Sequence, residues 1–203
     1  MMEVQIEISE QTIGEIRKRL GGLQNKTPTV LSRAINRTTT NIKKNMAQQT
    51  AGKDGKYNIK SGDVKESLNV QKATIRNLQG RVAASGHPLL LSKFNADKSA
   101  GPIEPVTYEN GKPNPRFYSA KVKKRGGKKA LTGNPRAFIG TSKAGLIFLQ
   151  RFSGKRYPLE PLYGPSVPQM IENEKTIEFI HREAESTLQK RIDAEINNIL
   201  RKG

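Results

Sequence analysis

The sequence predicts an α+β fold: a small antiparallel sheet packed against a helix of about 22 residues and a long C-terminal helix, with a basic loop excursion between strands. Three observations point there. Apolar residues recur at helical spacing over 27–49 and again over 168–201, short segments between them alternate at strand spacing, and Gly, Pro, Asn and Lys cluster in the connections. One domain over 1–203 accommodates them, with an N-terminal strand and helices (1–52), a sheet carrying a basic loop near 95–130 (53–160), and a proline-rich strap leading into the last helix (161–203).

Val4, Ile6 and Ile8 alternate and predict a first strand, and the acidic residues around them argue against a signal or transit peptide. Ile13, Ile16, Leu20 and Leu23 follow at helical spacing until Gly21-Gly22 breaks the pattern. Thr27-Pro28 starts a second helix whose apolar face is Leu31, Ile35, Thr38, Ile42 and Met46, and Gly52 ends it. Arg33, Arg37, Lys43 and Lys44 occupy the opposite face, which suits solvent or phosphate. A Lys/Gly loop then leads into a short helix over 62–68, two antiparallel strands over 70–74 and 80–84, and a further short strand at Leu89-Leu-Leu91. Residues 95–115 lack periodicity and read as a long loop or arm. Alternation resumes over 117–122, and 137–141 with 146–152 form the clearest strand pair, joined by the turn Ser142-Lys-Ala-Gly145.

The segment Arg156-Tyr-Pro-Leu-Glu-Pro-Leu-Tyr-Gly-Pro-Ser-Val-Pro-Gln-Met170 is a rigid edge or surface strap. Pro158 and Pro161 fix φ and remove donors, and Gly164-Pro165 imposes a turn. Two helix starts compete after it. Ser166 with Gln169 fits a capping box, but a residue before proline avoids helical φ/ψ, so the expected start is Pro168 as first helical residue. From there Ile177, Ile180, Ala184, Leu188, Ile192, Ile196 and Leu200 form one stripe over a helix of about 50 Å. Strands of about five residues reach only about 17 Å, which predicts that the far part of the stripe, with Ile192 and Ile196, meets a neighbouring subunit. A strap that loses little entropy on docking is expected at the same kind of interface, through Arg156, Tyr157, Pro158, Leu162, Tyr163, Gly164, Pro165 and Pro168, with Tyr163 as anchor.

The string Leu162-Tyr-Gly-Pro-Ser-Val-Pro-Gln-Met170, taken with Ala137-Phe-Ile-Gly140, Ile147-Phe-Leu-Gln-Arg-Phe152 and Gly154-Lys-Arg156, resembles the minor tail protein Z family of tailed bacteriophages, the tail completion proteins. The resemblance is closest over 137–171. It implies a non-enzymatic virion component, made in the host cytoplasm, that forms a homo-oligomeric ring, a hexamer, at the head-proximal end of the tail. The partners it implies are tail terminator or tail tube proteins, head connector proteins and the phage DNA end. Joining tail to head is then a matter of scaffold geometry and DNA contact.

Charge supports the DNA contact independently. Thirty-six basic against eighteen acidic residues leave +18, which calls for a polyanionic neighbour. The imbalance is segregated, with 13 basic and 3 acidic residues over 101–160 but 6 and 7 over 161–203. Lys121, Lys123, Lys124, Arg125, Lys128 and Lys129 form the densest run, around Gly126-Gly127, with no acidic residue between Lys112 and Arg136. Such lysines act as point charges on phosphate, giving salt-sensitive contact without base readout. Phe117 and Tyr118 beside the run offer weak support for base stacking. The same residues fit an alternative, a stand-alone sequence-nonspecific nucleic-acid-binding protein that forms no ring.

Catalysis finds little to work with. The chain has no cysteine, and neither His87 nor His181 has a partner at metal-ligand spacing. The glycines form neither a dinucleotide nor a P-loop fingerprint, and nothing assembles a nucleophile, a base and an oxyanion donor. No catalytic residue, metal or cofactor is expected. No apolar run approaches the roughly 20 residues of a membrane span, so no membrane partner is expected either.

Overall fold

The computed structural model describes all residues except 1, 54, 98–106, 110–111, 115–117, 133–136, 144, 154 and 203. The chain is α+β, as its periodicities predict. Strand β1 (Met2–Ile6) buries Met2, Val4 and Ile6 and exposes Glu3 and Gln5, the alternation that half-buried strands require. Ser9 then caps α1 (Glu10–Leu20), its hydroxyl accepting from the Thr12 N–H at 3.3 Å. A 3-10 turn (Gly21–Lys26) leads into α2 (Thr27–Ala51), which has Pro28 in its first turn and ends where the Gly52 N–H donates to the Gln48 carbonyl at 2.8 Å.

Helix α2 is the spine of the molecule. Beside its apolar residues it buries Thr38, Thr39 and Thr50, whose hydroxyls donate to the carbonyls of Ala34, Asn36 and Met46 at 2.9, 3.0 and 2.7 Å. Bonding back to its own helix lets a threonine-rich face enter a core without orphaned donors. Next come α3 (Ser61–Glu66), β2 (Leu68–Gln71) and β3 (Gly80–Ala84). These two strands and β1 form an antiparallel sheet of order β1-β3-β2, with Val4 and Val70 both opposite Val82. A Cβ on Gly80 would sit 2.4 Å from Ile35 Cγ2 and 2.7 Å from Thr39 Cγ2, so glycine is what allows α2 to cross this sheet closely.

Beyond a 3-10 turn (Leu91–Lys93) lie β4 (Asn95–Asp97), β5 (Thr107–Glu109), β6 (Lys112–Asn114), β7 (Ser119–Lys121) and β8 (Lys129–Ala130). Strands β4, β7 and β8 make a second small sheet, and β5 pairs with β6. The expected strand at Leu89–Leu91 does not form. Leu90 makes a single bridge to Tyr163, and Leu91 opens the 3-10 turn. The 95–115 segment is likewise not structureless where described, since it holds β4, β5 and β6. The predicted strand pair is present as β9 (Phe138–Ser142) and β10 (Gly145–Arg151), and β11 (Leu159–Pro161) adds the strap to the other edge of β10.

The C-terminal segment differs from expectation twice. It is two helices, α4 (Val167–Ile171) and α5 (Glu174–Leu200), and Pro168 is the second helical residue. Ser166 is the cap: its N–H donates to Gln169 Oε1 at 2.9 Å, and its hydroxyl accepts from the Gln169 N–H at 3.5 Å. These bonds, with burial of Val167 in the core, outweigh the local penalty of a helical residue before proline. The break at 172–173 lets α4 bury Met170 and Ile171 before α5 departs along α2.

Helices α2 and α5 run antiparallel, as pairings along their length show. Arg33 pairs with Glu195 at 3.6 Å, Asn41 Nδ2 donates to Thr187 Oγ1 at 2.9 Å, and Lys56 Nζ donates to Asn173 Oδ1 at 2.5 Å. This overturns the expectation that α5 outruns its cover. Ile192 and Ile196 are 2 % and 1 % exposed and pack with Ile16, Leu20, Val30, Leu31 and Ala34. They are core residues, not interface residues. The sheet was the wrong ruler, because a helix of 25 residues beside α5 covers about 38 Å of it.

Candidate functional site

The basic run starts on β7 and turns back at β8. Tyr118, just before β7, packs its ring on Phe148 with centroids 5.6 Å apart, which anchors the strand but removes this tyrosine from any role in stacking on bases. Phe117 lies outside the described residues. From Val122 onward the main chain is stapled to the segment that follows α2. The Asn58 N–H donates to the Val122 carbonyl at 2.9 Å, the Lys124 N–H to the Lys56 carbonyl at 2.9 Å, and the Asn58 side-chain amide to the carbonyls of Lys121 and Lys123 at 3.0 and 3.1 Å. Gly126, at φ 103°, then turns the chain toward β8. The expected Gly-hinged excursion is therefore tethered on its first side.

The six basic residues do not play one part. Lys123, Arg125, Lys128 and Lys129 are exposed, whereas Lys121 and Lys124 are half-buried. Lys124 is committed to the protein: its ammonium donates to the carbonyl of Gly52 and, at 3.1 Å, to that of Lys53. These carbonyls lie just past the last residue of α2, where the helix dipole favours a cation. Lys124 is a cap on α2, and its place among the DNA-facing residues is corrected accordingly.

The fold also adds cations that the sequence pattern did not single out. Lys53 and Lys56 join Lys123, Lys124 and Arg125 around a groove of about 620 Å³, together with Tyr57 and Asn173. No carboxylate is among the described residues of its wall. A second groove of about 390 Å³ runs under the turn between Arg125, Gly126, Gly127 and Lys129 and an apolar floor of Leu91, Val122 and Leu131. A wall of cations over main-chain and aliphatic surface suits a phosphate backbone.

The strap is positioned by main-chain bonds. The Leu162 N–H donates to Phe148 O and the Leu91 N–H to Leu162 O, each at 2.9 Å, and the Gly164 N–H donates to Leu89 O at 2.8 Å. A Cβ on Gly164 would lie 2.5 Å from Phe94 Cε2, and Phe94 is buried, so any side chain there would force the strap away from the Phe94 ring. The peptide chain is held while the side chains divide. Leu162, Gly164, Pro165 and Pro168 are half-buried, whereas Arg156, Tyr157, Pro158 and Tyr163 face solvent. Phe152, at the end of β10, is exposed beside them.

His87 and His181 both face solvent, and among the described residues no group of three or more His, Asp or Glu is placed to hold a metal ion. No helix among them is long and apolar enough to cross a membrane.

Comparison with known proteins gives one family and no individual relative: no curated protein and no solved structure matches the chain. The family model described as prophage minor tail protein Z (GPZ) matches residues 13–202, nearly all of the chain, from within α1 to past the end of α5. That coverage takes in both the strap and the basic turn, and the family is one of structural phage tail proteins whose partners are other virion components. The chain belongs to the prophage minor tail protein Z family.

Proposed function

We propose that the protein completes the head-proximal end of a phage tail as a closed ring, supports joining of tail to head, and contacts the arriving genome end. The observation that carries this reading is the strap: Tyr157 and Tyr163 stand exposed on a segment whose main chain is bonded into a sheet, the design of a docking edge rather than of a mobile loop. In a ring of identical subunits such an edge is used once in every copy. Hexamer geometry, tail terminator or tube proteins below, connector proteins above and the virion as final location complete the proposal. Electron microscopy of the purified protein, alone and mixed with tails lacking it, tests this directly. Closed rings and ring-capped tubes are expected; particles that stay monomeric and never decorate tube ends would overturn it.

The DNA contact in this proposal rests on the exposed part of the basic turn. Substituting Lys123, Arg125 and Lys129 by Gln is expected to lower the slope of log affinity against log salt by about three units, one for each phosphate left unneutralised, with unchanged folding. Lys124→Gln is expected to behave differently, costing about 1 kcal/mol of stability through the end of α2 and changing the slope little. Duplex binding titrated against salt, read beside thermal melting, separates the two. An equal effect of all four residues on the slope would restore Lys124 to the DNA face.

A further inference from the structure

A second basic groove lies at the other end of the helical pair, well away from the turn. It opens between the start of α2 and the end of α5, has a volume of about 670 Å³, and is walled by Lys26, Arg33, Arg37, Glu195, Asn198 and Lys202. Four cations thus converge from three chain segments on one carboxylate. That carboxylate is already engaged, since Glu195 pairs with Arg33 at 3.6 Å. Among the described residues no ion pair holds Lys26, Arg37 or Lys202, and all three are exposed.

Arg33 and Arg37 are four residues apart on α2, where like charges oppose helix formation by a few tenths of a kcal/mol. The end of α5 then brings Lys202 to the same place, which adds repulsion without adding packing. A set of cations that costs stability in the free protein gains by meeting an anion. The chemistry narrows which anion. Guanidinium forks and ammonium groups match phosphate oxygens, and the Asn198 amide supplies a neutral donor of the kind that commonly contacts a sugar-phosphate backbone. Aromatic residues, the usual anchors of a protein partner, are absent from the lining.

We propose that this groove is a second phosphodiester-backbone site, which binds nucleic acid independently of the Lys123–Lys129 turn. The two sites lie at opposite ends of α2: Arg37 is fifteen residues before Gly52, which places them about 22 Å apart along the helix. At that distance their contributions add.

Binding of the full-length protein to a DNA duplex, measured across a range of salt concentrations, tests the site. Lys26→Gln, Arg37→Gln and Lys202→Gln together are expected to lower the salt slope by two to three units, about 0.9 for each phosphate left unneutralised, and to add to the effect of the turn variant. Arg33 is kept so that Glu195 retains its partner. Because Lys202 lies beyond the last turn of α5, Lys202→Gln alone leaves folding intact and is expected to lower the slope by about one unit. An unchanged slope in both variants would overturn the proposal, as would wild-type protein with no salt-dependent DNA binding. Polyglutamate as competitor covers the remaining possibility: loss of polyglutamate binding in the triple variant, with the DNA slope intact, would assign the groove to an acidic protein and equally overturn it. None of these outcomes depends on ring formation or tail completion, so this site and the proposed place in the tail stand or fall separately.

Discussion

Replacing Ile192 and Ile196 by Asp is expected to abolish folding. Each isoleucine is almost fully buried between α5 and the packed residues of α1 and α2. Removing each side chain forfeits roughly 2 kcal/mol of transfer free energy, and placing a carboxylate in the same apolar space costs several kcal/mol more. The double substitution therefore loses on the order of 8 kcal/mol, against a total stability of about 5–15 kcal/mol for a domain. The check is circular dichroism with heating: no cooperative transition and material that aggregates on expression. Ile196→Val, which removes one methylene, is the control and is expected to cost about 1 kcal/mol, or about 2–4 °C in melting temperature. A double-Asp protein that is folded, monomeric and only slightly less stable would show that the end of α5 does not lie on α1 and α2 in solution.

The same two residues show what local pattern can and cannot say. The stripe from Ile177 to Leu200 is legible because helical periodicity is a property of neighbours a few positions apart. What the stripe meets is not local. The cover of its far part, Ile192 and Ile196, comes from Ile16, Leu20, Val30, Leu31 and Ala34, more than 150 residues earlier, and both stripes were readable without any signal that they belong together. The break between α4 and α5 escaped for a related reason. The helical pattern continues through 172–173, and only the burial of Met170 and Ile171 against the spine explains why the chain bends there. At Ser166 the capping-box motif was visible, and its reciprocal bonds decided against the proline rule.

The basic turn was legible as charge and illegible as role. A lysine is assigned by what lies beneath it. Nothing in the run from Lys121 to Lys129 distinguishes Lys124, whose ammonium reaches carbonyls some 70 residues earlier at the end of α2. Lys53 and Lys56 carry the converse lesson, since they read as part of an ordinary loop until the fold sets them beside Lys123 and Arg125. The strap was the most legible feature, because prolines and a glycine between apolar segments dictate backbone shape directly. Its edge pairing as β11 on β10 is the structure those residues require.

Tyr163→Ala is expected to break assembly while leaving the subunit intact. The side chain is 55 % exposed, and the bonds that position it are made by main-chain atoms: the bridge to Leu90 and the Gly164 N–H to Leu89 O. Truncation therefore removes little that the monomer uses, and the melting temperature of dissociated protein should move by no more than about 2 °C. At an interface the balance reverses. An exposed tyrosine on a rigid edge buries a large ring, keeps its hydroxyl at the rim and loses only two side-chain torsions, which is why tyrosines dominate contact energetics at about 2 kcal/mol or more on truncation. That corresponds to about a thirtyfold weaker contact, and a ring repeats it in every subunit, so closure should fail at concentrations where the native protein assembles. Adding Tyr157→Ala, exposed on the same strap, should deepen the loss. Sedimentation velocity over a hundredfold concentration range, with melting of the dissociated protein alongside, reads both quantities. Rings that persist unchanged would remove the strap from the subunit contact, and a fall of several degrees in the monomer would make Tyr163 a packing residue of its own chain.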